Sequence, residues 1–510
     1  MDSSQFRKAA HSAIDESQSS QAFLQDIFAP SSHQEPQRKA SHGPPFKTTL
    51  TVSSCQASPI GNLLSSWLFP CNSSFPGMLG EIYSGAFNAA AFNWICSPAV
   101  TELETVVMDW IAKLLALPDC FLSEGEGGGI IQGTASEVVL TSVVAARERL
   151  IRRKLGNMPE GEERMDKAAE LRGKMVALGS EHAHSSTQKA AVIAGTRFRT
   201  VSAPRDTNFS VTGKALRKTV EECREKGLEP FYFTATIGST GTCAVDDLEG
   251  IAEVVRDYPD LWIHVDAAYA GSALVCPEYQ HLCPPMAHFD SFNFNLHKWL
   301  LVNFDCSAFF IKRRKDLIDT YSITPSYLRN QFTESGLVTD YRDWQIPLGR
   351  RFRSLKVWFV LRTYGANGLR AFIRNHVKLG EYFNNLLTSR PDVFTVVTPA
   401  AFGLTTFQIN PAKPAAPSSP ARKSNPAHEA YLNDFTNDAE AQYREDANHV
   451  TKEVYERINA AGEFFLTGTV VCGIYVIRVV SATERAEEKY LKKVFETLVE
   501  TAELVVKEKA

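Results

Sequence analysis

Between residues 136 and 311, short runs of apolar residues alternate with longer stretches of helical period. The apolar runs fall at 175–178, 231–236, 261–265, 291–295 and 307–311, and helical stretches at 136–150, 211–226 and 248–257 separate several of them. Runs this short, with almost no polar alternation, suit strands covered on both faces. Their alternation with helices predicts an α/β fold built on a parallel sheet. Such sheets bind ligands beyond the carboxyl ends of their strands, so the chemistry is expected in the residues that follow each strand.

Four segments stand at those positions. The first is GGGIIQGTASE, residues 127–137, leading into a helical stretch. Glycines let backbone approach a ligand, and free N–H groups at a helix start attract phosphate; Thr134 and Ser136 add hydroxyls. The pattern is neither GxGxxG nor a Walker loop, and taken alone a tight turn with a Thr or Ser cap explains it equally well. The second, HVDAAYAG, ends a buried run on Asp266. A carboxylate there is costly unless paired, and a protonated ring nitrogen is a suitable partner, although a lone Asp is more often a helix cap.

The third, NFNLHKWL, sets Lys298 among aromatic and aliphatic neighbours. Desolvation lowers a lysine pKa and frees the amine for Schiff-base chemistry, whereas an isolated buried lysine is more often ion-paired. The fourth, EHAHSS, follows the run at 175–178. Its HxH pair has no third ligand at suitable spacing, so no metal is expected, and a neutral imidazole can instead stack on a flat cofactor. A phosphate cup, a stacking histidine, a strand-end aspartate and a Schiff-base lysine together describe the needs of pyridoxal 5′-phosphate.

Composition narrows the alternatives. With 510 residues, 44% hydrophobic, the chain has ample material for a core and room for about three domains, or one large domain with appendages. A net charge of −4 removes the positive field of a general nucleic-acid binder. Ten cysteines occur without a CxxC pair, which favours reduced thiols and a cytoplasmic setting over a disulfide framework. Neither a signal-peptide layout nor a membrane-length apolar run is present. Residues 5–16 suit a short amphipathic helix, and five of the sixteen residues from 411 to 426 are proline, as in a surface linker.

The longer blocks containing these motifs, with SPAVTELE at 97–104, NFNLHKWLLVNFDCS at 293–307 and DYRDWQIPLGRRFRSLK at 340–356, resemble the group II pyridoxal-phosphate decarboxylases, specifically aromatic-L-amino-acid decarboxylases. The resemblance runs from about residue 69 to 409 and resumes from about 450 to 506. It implies a fold type I α/β large domain with a mostly parallel seven-stranded sheet, a smaller α+β C-terminal domain and a homodimer with interfacial active sites. The corresponding division is 1–75 for a divergent N-terminal arm, 76–375 for the large domain and 376–510 for the small one.

Carried over by position, the resemblance makes Lys298 the Schiff-base lysine, Asp266 the partner of the pyridine nitrogen and His184 the stacking residue. Thr134, Ala135, Ser136, Asn295 and His297 would hold the phosphate, with Thr236 and Ala268 touching the cofactor. Tyr327 matches the mobile-loop tyrosine that returns a proton to Cα; relatives with phenylalanine there tend to be aldehyde synthases. Phe69, Pro70 and Phe92 are candidate walls of an aromatic side-chain pocket. Gly349 stands where plant members with glycine favour indoles, which leans toward tryptophan or 5-hydroxytryptophan, with tyrosine, DOPA and phenylalanine behind.

The chain departs from the pattern at two places. Leu296 replaces a frequent proline, which relaxes the backbone without removing His297 or Lys298. Residues from about 18 to 67 do not match, and Leu68 replaces the usual aromatic; a rebuilt arm and a mispredicted exon both explain this. Three functions follow as expectations: an amine-forming decarboxylase, an aldehyde synthase in the same fold, and a dimer impaired in turnover by its altered arm.

Overall fold

The computed structural model describes residues 71–323, 338–411, 438–483 and 486–509. Its central sheet has seven strands: β1 (Gly128–Gln132), β2 (Met175–Ser180), β3 (Arg197–Val201), β4 (Glu229–Thr236), β5 (Trp262–Asp266), β6 (Ser291–Asn295) and β7 (Ser307–Ile311). Their order is β1-β7-β6-β5-β4-β2-β3. β7 pairs antiparallel with both β1 and β6, and the other pairings are parallel, so one strand runs against the rest. The reversal follows from chain length. Only residues 296–306, with the single helical turn Leu296–Trp299, lie between β6 and β7, short of the dozen or more residues that a crossover to a parallel neighbour needs.

Alternate residues of β1, β2, β4, β5 and β7 feed two cores, while β6 gives Phe292 and Phe294 to one and its Ser291, Asn293 and Asn295 to the opposite face. Leu178, Phe233, Ile263, Phe292 and Phe310 share one with Met108, Ile111, Leu216 and Ile251 from flanking helices. Ala177, Tyr232, Trp262 and Phe309 share the other with Val138, Val143 and Leu150 of the Ala135–Leu155 helix. Covering both faces explains why the strand sequences show so little polar alternation.

Two strands of this sheet carry no apolar run of the expected kind. β1 lies within the glycine segment read as a phosphate-binding loop or, equally well, a tight turn. A Cβ on Gly127 would lie 2.0 Å from the Cys120 carbonyl oxygen, and one on Gly129 would lie 2.6 Å from Met108 Cε. Gly127, immediately before the strand, and Gly129, within it, are therefore glycines that packing requires. β3 is an edge strand of sequence RFRTV whose residues are largely exposed or half-buried.

A second sheet, ordered β10-β11-β9-β8, is antiparallel throughout. It comprises β8 (Phe394–Ala401), β9 (Leu404–Ile409), β10 (Thr467–Val471) and β11 (Ile474–Val480). The β-like run expected at 469–480 is thus a hairpin, reversed at Cys472 and Gly473, which hold φ of 47° and 76°. Helices Arg353–Thr388, Asp438–Ala461 and Glu488–Lys509 cover it through Leu379, Phe383, Val454, Leu491 and Leu498. The boundary expected at 375 falls inside the first of these helices, which breaks at Gly365. The expected helix at 5–16, the unmatched segment 18–67, Phe69, Pro70 and Tyr327 lie outside the described residues, as does the proline-rich stretch apart from Pro411. Among the described residues no helix is long and apolar enough to cross a membrane, and none of the cysteines is in a disulfide.

Candidate active site

The carboxyl ends of β1, β2, β4, β5 and β6 open into one cleft. Its cavity, about 200 Å³, is lined by every described residue expected to touch the cofactor: Thr134, Ala135, Ser136, His184, Thr236, Asp266, Ala268, Asn295, His297 and Lys298. Gly238, Thr240 and Tyr269 line it as well. Tyr269 stands inside the HVDAAYAG motif, and Gly238 and Thr240 follow β4, so position after a strand was the signal that could have found them. Phe92 and Gly349 do not line the cavity. Phe92 is half-buried, its carbonyl accepting from the Arg342 N–H at 3.3 Å, and Gly349 is exposed with nothing within 4 Å of where a Cβ would stand.

Thr134 is the N-cap of the Ala135–Leu155 helix, accepting the Glu137 N–H at 3.3 Å. That leaves the N–H groups of the first turn pointing out of the helix start, where an anion is favoured by both hydrogen bonding and the helix dipole. Asp266 ends β5, and its Oδ1 accepts the Ala268 N–H at 3.0 Å, fixing the carboxylate at the strand end. His184 lies in the loop after β2. Its Nδ1 accepts the Ser186 N–H at 3.2 Å, which places the proton of the neutral ring on Nε2. Partial burial, opposed by Asp266 and reinforced by the Lys298 cation, holds the His184 pKa below the ordinary value. A neutral, oriented ring is suited to stacking.

Lys298 sits on the helical turn after β6. Burial lowers its pKa, with the Asp266 carboxylate acting in the opposite direction, so the amine is easier to deprotonate than a surface lysine. Beside it, His297 is pushed down to about 4 by burial and by the Lys298 charge, and its Nδ1 accepts the Cys306 N–H at 2.9 Å. Leu296, the departure from proline, donates its N–H to the Cys306 carbonyl at 3.1 Å, a bond proline could not make.

A residue not anticipated from sequence pins this turn. Asn72 Nδ2 donates to the carbonyls of Lys298 at 2.6 Å and Ala482 at 2.9 Å, and its N–H donates to the His297 carbonyl at 2.8 Å. Tyr269 packs face to face on Trp299 at 4.8 Å, and its hydroxyl donates to the Phe402 carbonyl at 2.7 Å. Both ties join the lysine-bearing turn to the second sheet.

The donor set fits pyridoxal phosphate. Thr236 Oγ1 and Asn295 Oδ1 are buried at the cleft without a hydrogen-bond partner among the described residues, as expected of polar atoms whose partner is a bound group. A capped helix start, a fixed strand-end carboxylate and a desolvated amine meet the phosphate, ring-nitrogen and aldehyde requirements of that cofactor.

Comparison with known proteins agrees. Residues 65–410 match the family model described as the pyridoxal-dependent decarboxylase conserved domain. The chain is 48% identical over 343 residues to aromatic-L-amino-acid decarboxylase of Rattus norvegicus, covering 67% of this chain and 70% of the rat protein. The solved structure of Oryza sativa TDC with PLP and tryptamine superposes with a TM-score of 0.80 at 29% identity, and that of Rhodiola rosea 4-hydroxyphenylacetaldehyde synthase with 0.75 at 29%, each alignment covering 99% of both chains. The chain belongs to the pyridoxal-dependent decarboxylase family. It is a carboxy-lyase, and its cofactor is pyridoxal 5′-phosphate.

Proposed function

We propose that this carboxy-lyase converts aromatic L-amino acids into the corresponding amines and carbon dioxide, with tryptophan or 5-hydroxytryptophan favoured and tyrosine, DOPA or phenylalanine also accepted. The observation that carries the reading is the convergence of Lys298, Asp266, His184 and the Thr134-capped helix start on one cleft. Bound pyridoxal phosphate supplies an electron sink for the pair released when the bond from Cα to the carboxylate breaks. Lys298 would hold the aldehyde carbon through Nζ and free it for the incoming amino group. Asp266 would keep a proton on the pyridine nitrogen, which sustains the sink. His184 would stack on the ring, and Thr134, Ala135, Ser136, Asn295 and His297 would hold the phosphate, with Thr236 and Ala268 beside the cofactor.

Tyr327, outside the described residues, is assigned the return of a proton to Cα on the strength of the family resemblance. That assignment favours an amine product. The fold neighbour from Rhodiola rosea, an aldehyde synthase, keeps oxidative deamination as the second reading. Phe69, Pro70, Phe92 and Gly349 are the proposed determinants of the substrate side chain. We further propose a cytoplasmic homodimer, with residues 1–75 as arm, 76–375 as cofactor domain and 376–510 as small domain. Phe87, Ile95, Val106 and Trp110, apolar and exposed on or between the Phe75–Phe87 and Pro98–Leu114 helices, support a covered face there.

The test is incubation of the purified holoenzyme with the five amino acids, reading carbon dioxide, amine and peroxide together. Amine without peroxide, with tryptophan or 5-hydroxytryptophan fastest, is the expected result. Carbon dioxide with stoichiometric peroxide would establish the aldehyde synthase, and no turnover from a cofactor-loaded chain would point to an impaired dimer.

A further inference from the structure

We propose that Glu181, His182 and Cys472 form a binding site for a thiophilic divalent cation of the zinc class, joining the loop that carries His184 to the β10–β11 turn. In sequence Glu181 and His182 stand side by side without a third ligand nearby, and His184 is committed to the cofactor cleft. The fold supplies one from 290 residues away: Cys472 Sγ stands 3.6 Å from His182 Nε2. Glu181 Oε1 stands 3.8 Å from the same nitrogen, and the three ligand atoms lie within 4.8 Å of one another. Tetrahedral zinc, with bonds of about 2.3 Å to sulfur and about 2.0–2.1 Å to nitrogen and oxygen, separates sulfur from nitrogen by about 3.5 Å and nitrogen from oxygen by about 3.4 Å. The sulfur–nitrogen spacing already agrees; the carboxylate must close on the nitrogen by a few tenths of an ångström and on the sulfur from within the 4.8 Å that bounds the cluster to about 3.5 Å.

The surrounding contacts hold the ligands in place. His182 Nε2 lies 3.1 Å from the Ala203 carbonyl, and the ring sits edge-on to Phe209 at 5.6 Å. The cation would take the place of the proton that Nε2 shares with that carbonyl, the neutral ring then carrying its proton on Nδ1, while the Cys472 thiol releases its proton to solvent. Glu181 Oε1 accepts the Ala203 N–H at 2.8 Å, which orients the carboxylate from behind. On the other side, Arg444 donates to the Cys472 carbonyl and Asn448 Nδ2 to the Gly473 carbonyl at 2.9 Å, so the hairpin turn is anchored to the Asp438–Ala461 helix. Cys472 and Glu181 are exposed, leaving a path for a hydrated ion. A thiolate, an imidazole and a carboxylate select a borderline-soft ion over magnesium or calcium. The site is separate from the cofactor cleft, whose lining includes none of the three residues.

Cobalt(II), whose thiolate complexes absorb visibly, is the probe, titrated into the reduced holoenzyme. Wild type is expected to bind one cobalt per chain with a sulfur-to-metal charge-transfer band, and zinc should displace it. Cys472→Ser should lose the band, and His182→Gln should weaken binding at least about tenfold. Cys96→Ser, which removes a different exposed thiol, should change neither. Circular dichroism and the cofactor's own absorbance report whether each variant is folded and loaded. A band that survives Cys472→Ser in folded protein, or that disappears in Cys96→Ser, would overturn the site, as would the absence of any band in wild type.

Discussion

Lys298 is the residue on which most of the proposed chemistry depends, and its setting makes the consequences of changing it specific. Removing the amine with Lys298→Ala leaves the phosphate cradle intact, so cofactor should still bind without its covalent link. Turnover should fall by at least about 10³-fold, with loss of the visible absorbance of the lysine-linked cofactor. Retention of that absorbance would show that another amine carries the aldehyde. Asn72 offers a finer test, because it touches the lysine's backbone and not its amine. Asn72→Ala removes two hydrogen bonds that hold the turn against the second sheet, each worth about 1 kcal/mol. The expected outcome is a lower kcat, an almost unchanged KM and a modest fall in Tm. A change confined to Tm would make Asn72 purely structural. The sequence offered no pointer to this residue, since its partners lie 226 and 410 positions away. Lys298, Asp266 and His184 could be anticipated because each follows a strand and brings a chemistry that the cofactor demands.

At the scale of elements, strands buried on both faces announced themselves through short, apolar-rich runs, and β6 and β7 begin and end where two of those runs do, although Ser291, Asn293 and Asn295 alternate with phenylalanine in β6. β1 did not, because the glycines in it and just before it are required by packing and make the segment read equally well as a turn. Gly127→Ala puts a methyl against the Cys120 and Ile311 carbonyl oxygens, at 2.0 and 2.6 Å, with backbone on both sides and no flexible side chain to yield. We expect a loss of about 3 kcal/mol, read as a lower denaturation midpoint. An unchanged midpoint would mean that β1 can move away from its neighbours. One strand end further on, Thr134→Ala removes a helix cap worth about 1 kcal/mol. It should also weaken cofactor retention, because the capped turn is the proposed phosphate site. Gly127→Ala, by contrast, should act on stability first. Comparing the two variants separates packing from binding within an eleven-residue segment. The hairpin at Cys472 escaped recognition for a related reason: the run 469–480 is apolar through its turn, where only Gly473 marks the reversal.

For the whole molecule, the clearest consequence of deep burial is sensitivity to acid. His264 is fully enclosed, with Nε2 2.8 Å from Asn293 Oδ1 and Nδ1 2.8 Å from Ser291 Oγ. The first contact requires a donor nitrogen, so a neutral ring completes the pair by accepting from the serine hydroxyl. His376, on the long helix between the two sheets, accepts the Trp299 indole N–H at 3.0 Å. Burial is the first cause of depression for both, and each is held down to about 4 from an ordinary 6.5. Both rings are therefore neutral when folded and protonated when unfolded across the interval from pH 6.5 to 4. The unfolded chain binds more protons there, so stability falls as pH falls, by up to about 1.4 kcal/mol per pH unit for each ring. Their contribution is fully present above pH 6.5 and is lost progressively toward pH 4. Denaturant unfolding at pH 7.5, 6.5, 5.5 and 4.5 should show an almost flat first interval followed by a decline of up to about 3 kcal/mol per unit from these two groups. His264→Gln lowers stability at every pH by disturbing the Ser291–Asn293 network, yet it should also make the decline shallower, because one proton fewer is taken up. An equally steep decline in that variant would assign the acid lability to other groups.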